Sequence, residues 1–328
     1  MLRKWLIAVA AFAMASGAAE AAAKETITIA TMAPSQSAWG RIFNRWKDNV
    51  TKDTNGEVEL SFLWGGSGGD EKAMVGNMRS RKIDGAAITA IGLSLIHQDV
   101  LVFNLPGLFR NWSKLDTVRQ SETAYFEGKF ENEGFILLGF GDVGAIKLLS
   151  IDLQVKTPGD LNGRKANVFP DDAITTKFFL TTPGVTQTGA GFGELASFLQ
   201  SKATSVIAVP PYAAEQMQWS NYITHINTMT VGFSIGAMVM TSAKFRGLSD
   251  SQKEAVRKHG AQAASEVNSE VRRLDGQAFA RMKTSKIPYE PTPDEVGEWR
   301  QVFQKTRQAL RGATFSAPVF DRISGKAG

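Results

Sequence analysis

The chain has 328 residues, no cysteine and a formal net charge of +5. Without cysteine there is no disulfide framework and no thiolate metal site, and basic residues scattered along the chain rather than gathered in a stripe with aromatics exclude a nucleic-acid-binding role. The length exceeds the usual limit of about 250–300 residues for one hydrophobic core, so two domains are expected.

Arg3 and Lys4 precede an apolar run from Trp5 to Ala15 that is too short to cross a bilayer, and Ala19-Glu20-Ala21 or Ala21-Ala22-Ala23 offers a small-residue cleavage site. Residues 1–23 are therefore expected to be a signal peptide, cleaved near Ala21 to Ala23, and the mature chain to be exported to the periplasm. Glu25 to Thr31 alternates apolar and polar residues as a strand does. Ser37 caps a predicted helix through Val50, on which Trp39, Ile42, Phe43 and Trp46 share one face. A strand from Val58 to Trp64, a glycine-rich loop from Gly65 to Gly69, a helix from Asp70 to Arg81 and a strand from Ile83 to Thr89 follow. Strands alternating with helices argue for βα units.

A second block runs through predicted strands at Phe135 to Phe140 and Ala145 to Ser150, the turn Asp160-Leu161-Asn162-Gly163, and a strand from Lys165 to Phe169. Asp171 or Asp172 opens a helix from Ala173 to Leu180, Glu194 to Ser201 is helical, Ser205 to Val209 is a buried strand, and Tyr212 to Trp219 is a helix. Ile235 to Met240 returns as a strand, and Ser249 to Lys286 has helical composition interrupted by Gly260 and Gly276. The pattern implies an α/β, bilobal periplasmic-binding-protein fold: two β/α lobes joined by chain crossings, with a ligand cleft between them that closes by hinging. Residues 24–146 and 238–275 are assigned to the first lobe and 147–237 to the second. Residues 276–328 are assigned to C-terminal helices packing across the lobes and a disordered tail.

Two short motifs offer enzymatic readings. Gly65-Gly66-Ser67-Gly68-Gly69 matches the G-x-S-x-G elbow of α/β hydrolases, with Ser67 as nucleophile. Only His97, His225 and His259 are available as a base, however, and no oxyanion segment of the HGGG type is present. Gly139-Phe140-Gly141-Asp142-Val143-Gly144 matches G-x-G-x-x-G, but a strand rather than a helix follows it, so close backbone approach at a domain crossing is the better reading. The histidines have no metal-site spacing. No catalytic residue, metal or cofactor is assigned.

Seven pieces, in order, carry a family resemblance between about Thr26 and Arg300: Thr28 to Pro34, Gly65 to Met78, Ile83 to Thr89, Asn104 to Arg110, Val155 to Val168, Gly193-Glu194 with Leu199-Gln200, and Leu248-Ser249 with Gln252-Lys253. The chain resembles DctP-type solute-binding proteins of TRAP transporters. Its Gly69-Asp70-Glu71-Lys72 loop and Leu105-Pro106-Gly107-Leu108-Phe109-Arg110 look closest to the branch encoded beside tetratricopeptide-repeat proteins, which is associated with apolar ligands. The resemblance implies a non-enzymatic receptor that delivers a small molecule to TRAP membrane permease subunits, with a tetratricopeptide-repeat periplasmic protein as a further partner.

At the position of the family arginine that clamps a substrate carboxylate, this chain has Asn167; where the family places a ligand-binding asparagine it has Val209; the family's stacking aromatic is retained as Phe192. An amide cannot replace the planar guanidinium fork. An apolar or amphiphilic ligand is therefore expected, its headgroup near Lys147 and its apolar part along Trp39, Trp64, Phe169, Phe192 and Tyr212, with Gly66, Thr89 and Asp142 also bordering the cleft. Two alternatives stand beside this: a receptor for a dicarboxylate or sugar acid that uses Lys147 in place of the arginine, and an exported hydrolase using Ser67.

Overall fold

The computed structural model describes residues 24–327; the expected signal peptide and its cleavage site lie outside the described residues. In chain order the first part runs β1 (Glu25–Thr31), α1 (Ala38–Asp53), β2 (Val58–Leu63), α2 (Glu71–Arg79), β3 (Gly85–Thr89), α3 (Ala90–Ser94), a 3-10 turn at Gln98–Asn104, and α4 (Trp112–Asn132). Strand β1 pairs in parallel with both β2 and β3, so α1 and α2 are crossover helices of βαβ units. Ser37 caps α1 by accepting from Gly40 N at 3.2 Å, and Ile42, Phe43, Trp46 and Val50 form its buried face. Each such side chain contributes about 1.5–3 kcal/mol by leaving water.

The chain then crosses on β4 (Phe135–Ser150), which is continuous where two strands were expected. From Phe135 to Ile146 it pairs antiparallel with β9 (Gly232–Thr241), which itself pairs with β3; from Lys147 to Ser150 it pairs antiparallel with β7 (Val206–Val209). The glycines of the G-x-G-x-x-G stretch lie within this strand, where the register with β9 shifts at Leu137/Gly139 and at Asp142/Gly144. Gly144 has φ +145, and a Cβ there would stand 2.5 Å from Pro210 Cβ. These glycines let neighbouring backbone approach, and no nucleotide-binding turn is formed.

The second lobe contains β5 (Lys165–Asn167), α5 (Ala173–Thr181), β6 (Thr186–Thr188), α6 (Leu195–Gln200), β7, α7 (Pro211–Gln216) and β8 (His225–Asn227). Strand β5 is parallel to β6 and β7. The main path of the sheet runs β2-β1-β3-β9-β4-β7-β5-β6, with β8 pairing to the end of β4 off this path, so β4 and β9 carry the chain between the lobes.

After β9 come α8 (Ser242–Gly247), α9 (Asp250–Ser285), β10 (Ile287–Tyr289), α10 (Pro293–Leu310) and α11 (Ala317–Ala327). Gly260 and Gly276 do not interrupt α9: it is a single helix of 36 residues, opened by a Ser249/Gln252 capping box. It packs on α1, along β4 and against α7, and so touches both lobes. Helix α10 buries Trp299, Val302 and Phe303 in the second lobe's core. The terminal residues, expected to be disordered, form α11, with Val319 and Ile323 in the first lobe's core. Arg322 and Lys326 pair with the buried Glu122 of α4, which the sequence pattern of the tail alone does not reveal.

Candidate functional site

Between the lobes lies a cavity of about 170 Å³, on the scale of the roughly 150 Å³ apolar cavities that hold a benzene ring. Its floor is β4 at Gly141–Val143 and Ile146. The first lobe supplies the carboxyl ends of β1 and β3 with Trp39 and Phe43 of α1; the second supplies Phe169, Phe192, Val209, Trp219 and the start of α5. Strand ends gather here because the open βα arrangement leaves its loops on that side.

Six of the residues expected at the site line this cavity: Trp39, Thr89, Asp142, Phe169, Phe192 and Val209. The aromatic wall is ordered by stacking. Phe169 and Phe192 lie 4.3 Å apart at 10°, and Trp219 stands 5.7 and 6.2 Å from them, inside the range in which such pairs attract.

Asn167, Lys147, Tyr212, Trp64 and Gly66 are not among the lining residues. Asn167 is buried, and its amide is engaged with the Ala190 peptide unit: Nδ2 donates to Ala190 O at 3.1 Å and Oδ1 accepts from Ala190 N at 2.8 Å. These two bonds make Asn167 a staple that holds the loop leading to Phe192. Lys147 donates to Thr228 O at 2.6 Å and Thr230 Oγ1 at 2.8 Å, and its ammonium stands 4.3 Å from the Phe279 ring. Burial lowers its pKa to about 8. Its ammonium is thus engaged by groups of the protein, away from the cavity lining. Trp64 stacks on Phe62 at 4.7 Å, leaving Phe43 as the first-lobe aromatic beside Trp39. Gly66 takes φ +82 and donates its N–H to Thr31 O, a turn role.

Asp142 borders the cavity through its backbone, not its carboxylate. Oδ1 accepts from Arg119 at 2.7 Å and Oδ2 from Arg272 at 2.6 Å, and Asp116 completes the cluster by bonding both arginines. The Asp142 carbonyl accepts from Trp39 Nε1 at 3.2 Å and thereby orients that indole over the cavity.

Among the described residues no lysine, arginine or histidine lines the cavity, whereas the acidic residues Glu71 and Asp172 do. Glu71 accepts from Thr89 N, Thr89 Oγ1 and Gly92 N at 2.7–2.8 Å, and Asp172 accepts from Ile174 N and Thr175 N. Burial raises both pKa values. Sequence reasoning missed Glu71 although it stands in the quoted Gly-Asp-Glu-Lys loop, and read Asp172 only as a helix cap. Phe43 was also missed, because helical spacing marks it as core, and so was Trp219, which was read only as the end of a helix and instead opens a 3-10 turn after α7. Ser67 has no bonded histidine: His259 bonds Asp53 and Gln262, His225 bonds Thr224, and His97 lies beside Asp99. The elements of a hydrolase site are not assembled.

Residues 29–311 match the family model described as bacterial extracellular solute-binding protein, family 7 (DctP). The chain belongs to this family. Members of this family are binding receptors rather than enzymes, so the hydrolase alternative is not supported. The C4-dicarboxylate-binding periplasmic protein DctP of Rhodobacter capsulatus is 23% identical over 208 residues, and the match spans 62% of each chain. Among solved structures, a TRAP periplasmic solute-binding protein of Ralstonia eutropha with bound (S)-2-acetolactate superposes with a TM-score of 0.86 at 18% identity, covering 93% of this chain and 99% of that one. The sugar acid binding protein of Advenella mimigardefordensis in complex with galactonate gives 0.86 at 17%, covering 93% and 98%. These likenesses establish the bilobal fold of the family.

Proposed function

We propose that the protein is the extracytoplasmic receptor of a TRAP transporter, and that it takes a small apolar or amphiphilic solute into the interlobe cavity and delivers it to membrane permease subunits. The observation that carries the ligand class is the lining: an aromatic wall, aliphatic residues and two buried carboxylates, with no basic side chain. The structural relatives named above hold carboxylates. A carboxylate placed in this cavity would have no cationic partner, a situation that costs about 3–5 kcal/mol when one member of a buried pair is removed. The alternative of a carboxylate receptor using Lys147 loses support for the same reason, because that ammonium already bonds Thr228 and Thr230. A cavity of about 170 Å³ suits a ring-sized body or short branched chain rather than a long acyl tail.

The Gly69–Lys72 loop and the Leu105–Arg110 segment support a tetratricopeptide-repeat periplasmic protein as second partner. Native mass spectrometry of the protein isolated from its own periplasm, followed by extraction of the bound molecule, tests the reading. A neutral or weakly polar small molecule is expected. Recovery of a dicarboxylate or sugar acid would overturn the ligand class while leaving the receptor role in place.

A further inference from the structure

Ala38 is the first residue of α1, so its N–H is one of the donors that no helical carbonyl can satisfy. Ser37 does not serve it, since the Ser37 hydroxyl accepts from Gly40 N and donates to Pro34 O. The partner comes from the other lobe: the Tyr212 hydroxyl accepts from Ala38 N at 2.9 Å, with both residues buried. The Tyr212 ring lies 4.8 Å from that of Trp39, the α1 residue that lines the cavity.

Tyr212 is held rigidly on its own side. It follows Pro210 and Pro211, and its N–H donates to Asp275 Oδ1 at 3.0 Å, while Asp275 Oδ2 accepts from Ala145 N of β4 at 2.9 Å. The start of α7 is thus tied to the crossing strand, and its second residue reaches across to the first lobe. A second polar link at the cavity, between α2 and the turn before α5, joins Lys72 to Asp171 at 3.3 Å; it is exposed on the lysine side and therefore screened by water.

We infer that Tyr212 is the closing latch of the cleft. Its hydroxyl satisfies the Ala38 N–H only when the lobes are together, so the bond belongs to the closed state alone and shifts the balance toward it whatever solute is bound. In the open state both groups return to water. Because a buried N–H deprived of its partner is costly, Tyr212→Phe, which keeps the ring on Trp39, should lower the closed-to-open ratio about tenfold.

The absence of cysteine allows two introduced cysteines, at Glu127 of the first lobe and Ser201 of the second, to be spin-labelled alone, so that the interlobe separation is read by pulsed electron resonance. Amide exchange at Ala38 is the matching readout, because its N–H is covered by the Tyr212 hydroxyl while the Gly40 N–H of the same turn is covered by Ser37. Tyr212→Phe should move the distance distribution toward longer separations and speed exchange at Ala38 while leaving Gly40 protected, a result that a packing role for the Tyr212 ring would not produce. Equal distributions in wild type and Tyr212→Phe, a wild type with no short separation, or equal loss of protection at Ala38 and Gly40 would each overturn the latch.

Discussion

Asn167, at the position where the family resemblance implies a clamping arginine, does structural work. Its amide satisfies both the N–H and the C=O of Ala190, 23 residues away, and the next residues carry Phe192 onto Phe169. Truncation would leave two buried backbone groups without partners, each worth about 1–3 kcal/mol. Asn167→Ala is therefore expected to lower the unfolding free energy by about 2–4 kcal/mol, measured by urea denaturation, and to loosen the Phe192 loop as seen in amide exchange. A change within 0.5 kcal/mol would show that water replaces the amide at no cost, contrary to a buried staple. The absence of an arginine at this position and the retention of Phe192 are legible through the family resemblance. What the asparagine does instead is not, because its partner is a backbone unit, which leaves no mark in a side-chain pattern. Lys147 illustrates the same limit. A lysine on a strand facing a cleft reads as a cation for a ligand, yet Thr228, Thr230 and Phe279 reach it from β9's approach and from α9.

At the scale of elements, the crossing layer of β4 and α9 decides the architecture. Gly139 lies against α9 so closely that a Cβ would stand 2.6 Å from Ala264 Cβ. Gly139→Ala must push helix from strand and is expected to destabilise by about 1–3 kcal/mol. Ala264→Gly in the same chain relieves the contact at a helix cost of about 1 kcal/mol, so the pair should show favourable coupling in a double-mutant cycle; additive losses would place the strain elsewhere. Most βα units are readable because cap, apolar face and strand alternate cleanly, as with Ser37 and the Ile42, Phe43, Trp46 face. Helix α4 is hidden: its buried side includes Arg119 and Glu122, whose partners Asp142, Arg322 and Lys326 lie far along the chain, so polar residues interrupt the apolar stripe. Helix α9 looks broken at Gly260, yet that glycine sits under Leu138 and Trp46, where a Cβ would be 3.1 Å from Leu138 Cβ. Close packing, not a chain break, accounts for it.

Across the whole molecule, the balance of buried and paired acids sets the response to pH. Burial raises Asp275 from 3.8 to about 6 even though Tyr212 N and Ala145 N donate to it; Lys147 opposes that shift and Glu215 adds to it. Burial also raises Glu71 and Asp172. A group whose folded pKa lies above its unfolded value binds more protons in the folded state between the two, so stability falls as pH rises through that window. Asp275 alone should cost on the order of 2–3 kcal/mol as pH rises from about 4 through 6, the loss being complete about one unit above that. Asp116 and Glu122 act in the opposite sense. Although burial raises them, their arginine and lysine partners hold both below the usual carboxylate range, so their contribution is present at neutral pH and is lost as pH falls through their lowered values. The thermal midpoint is therefore expected to rise on acidification from pH 7 to about pH 5, then to fall as the ion-paired acids protonate. Asp275→Asn should lower the midpoint at acid pH, because one of the two N–H groups faces a poorer acceptor, and should flatten the slope between pH 4 and 6. A slope of the same size in the variant would assign the acid stabilisation to Glu71 and Asp172, and would free the support of α7, and with it Tyr212, from any dependence on the charge of Asp275.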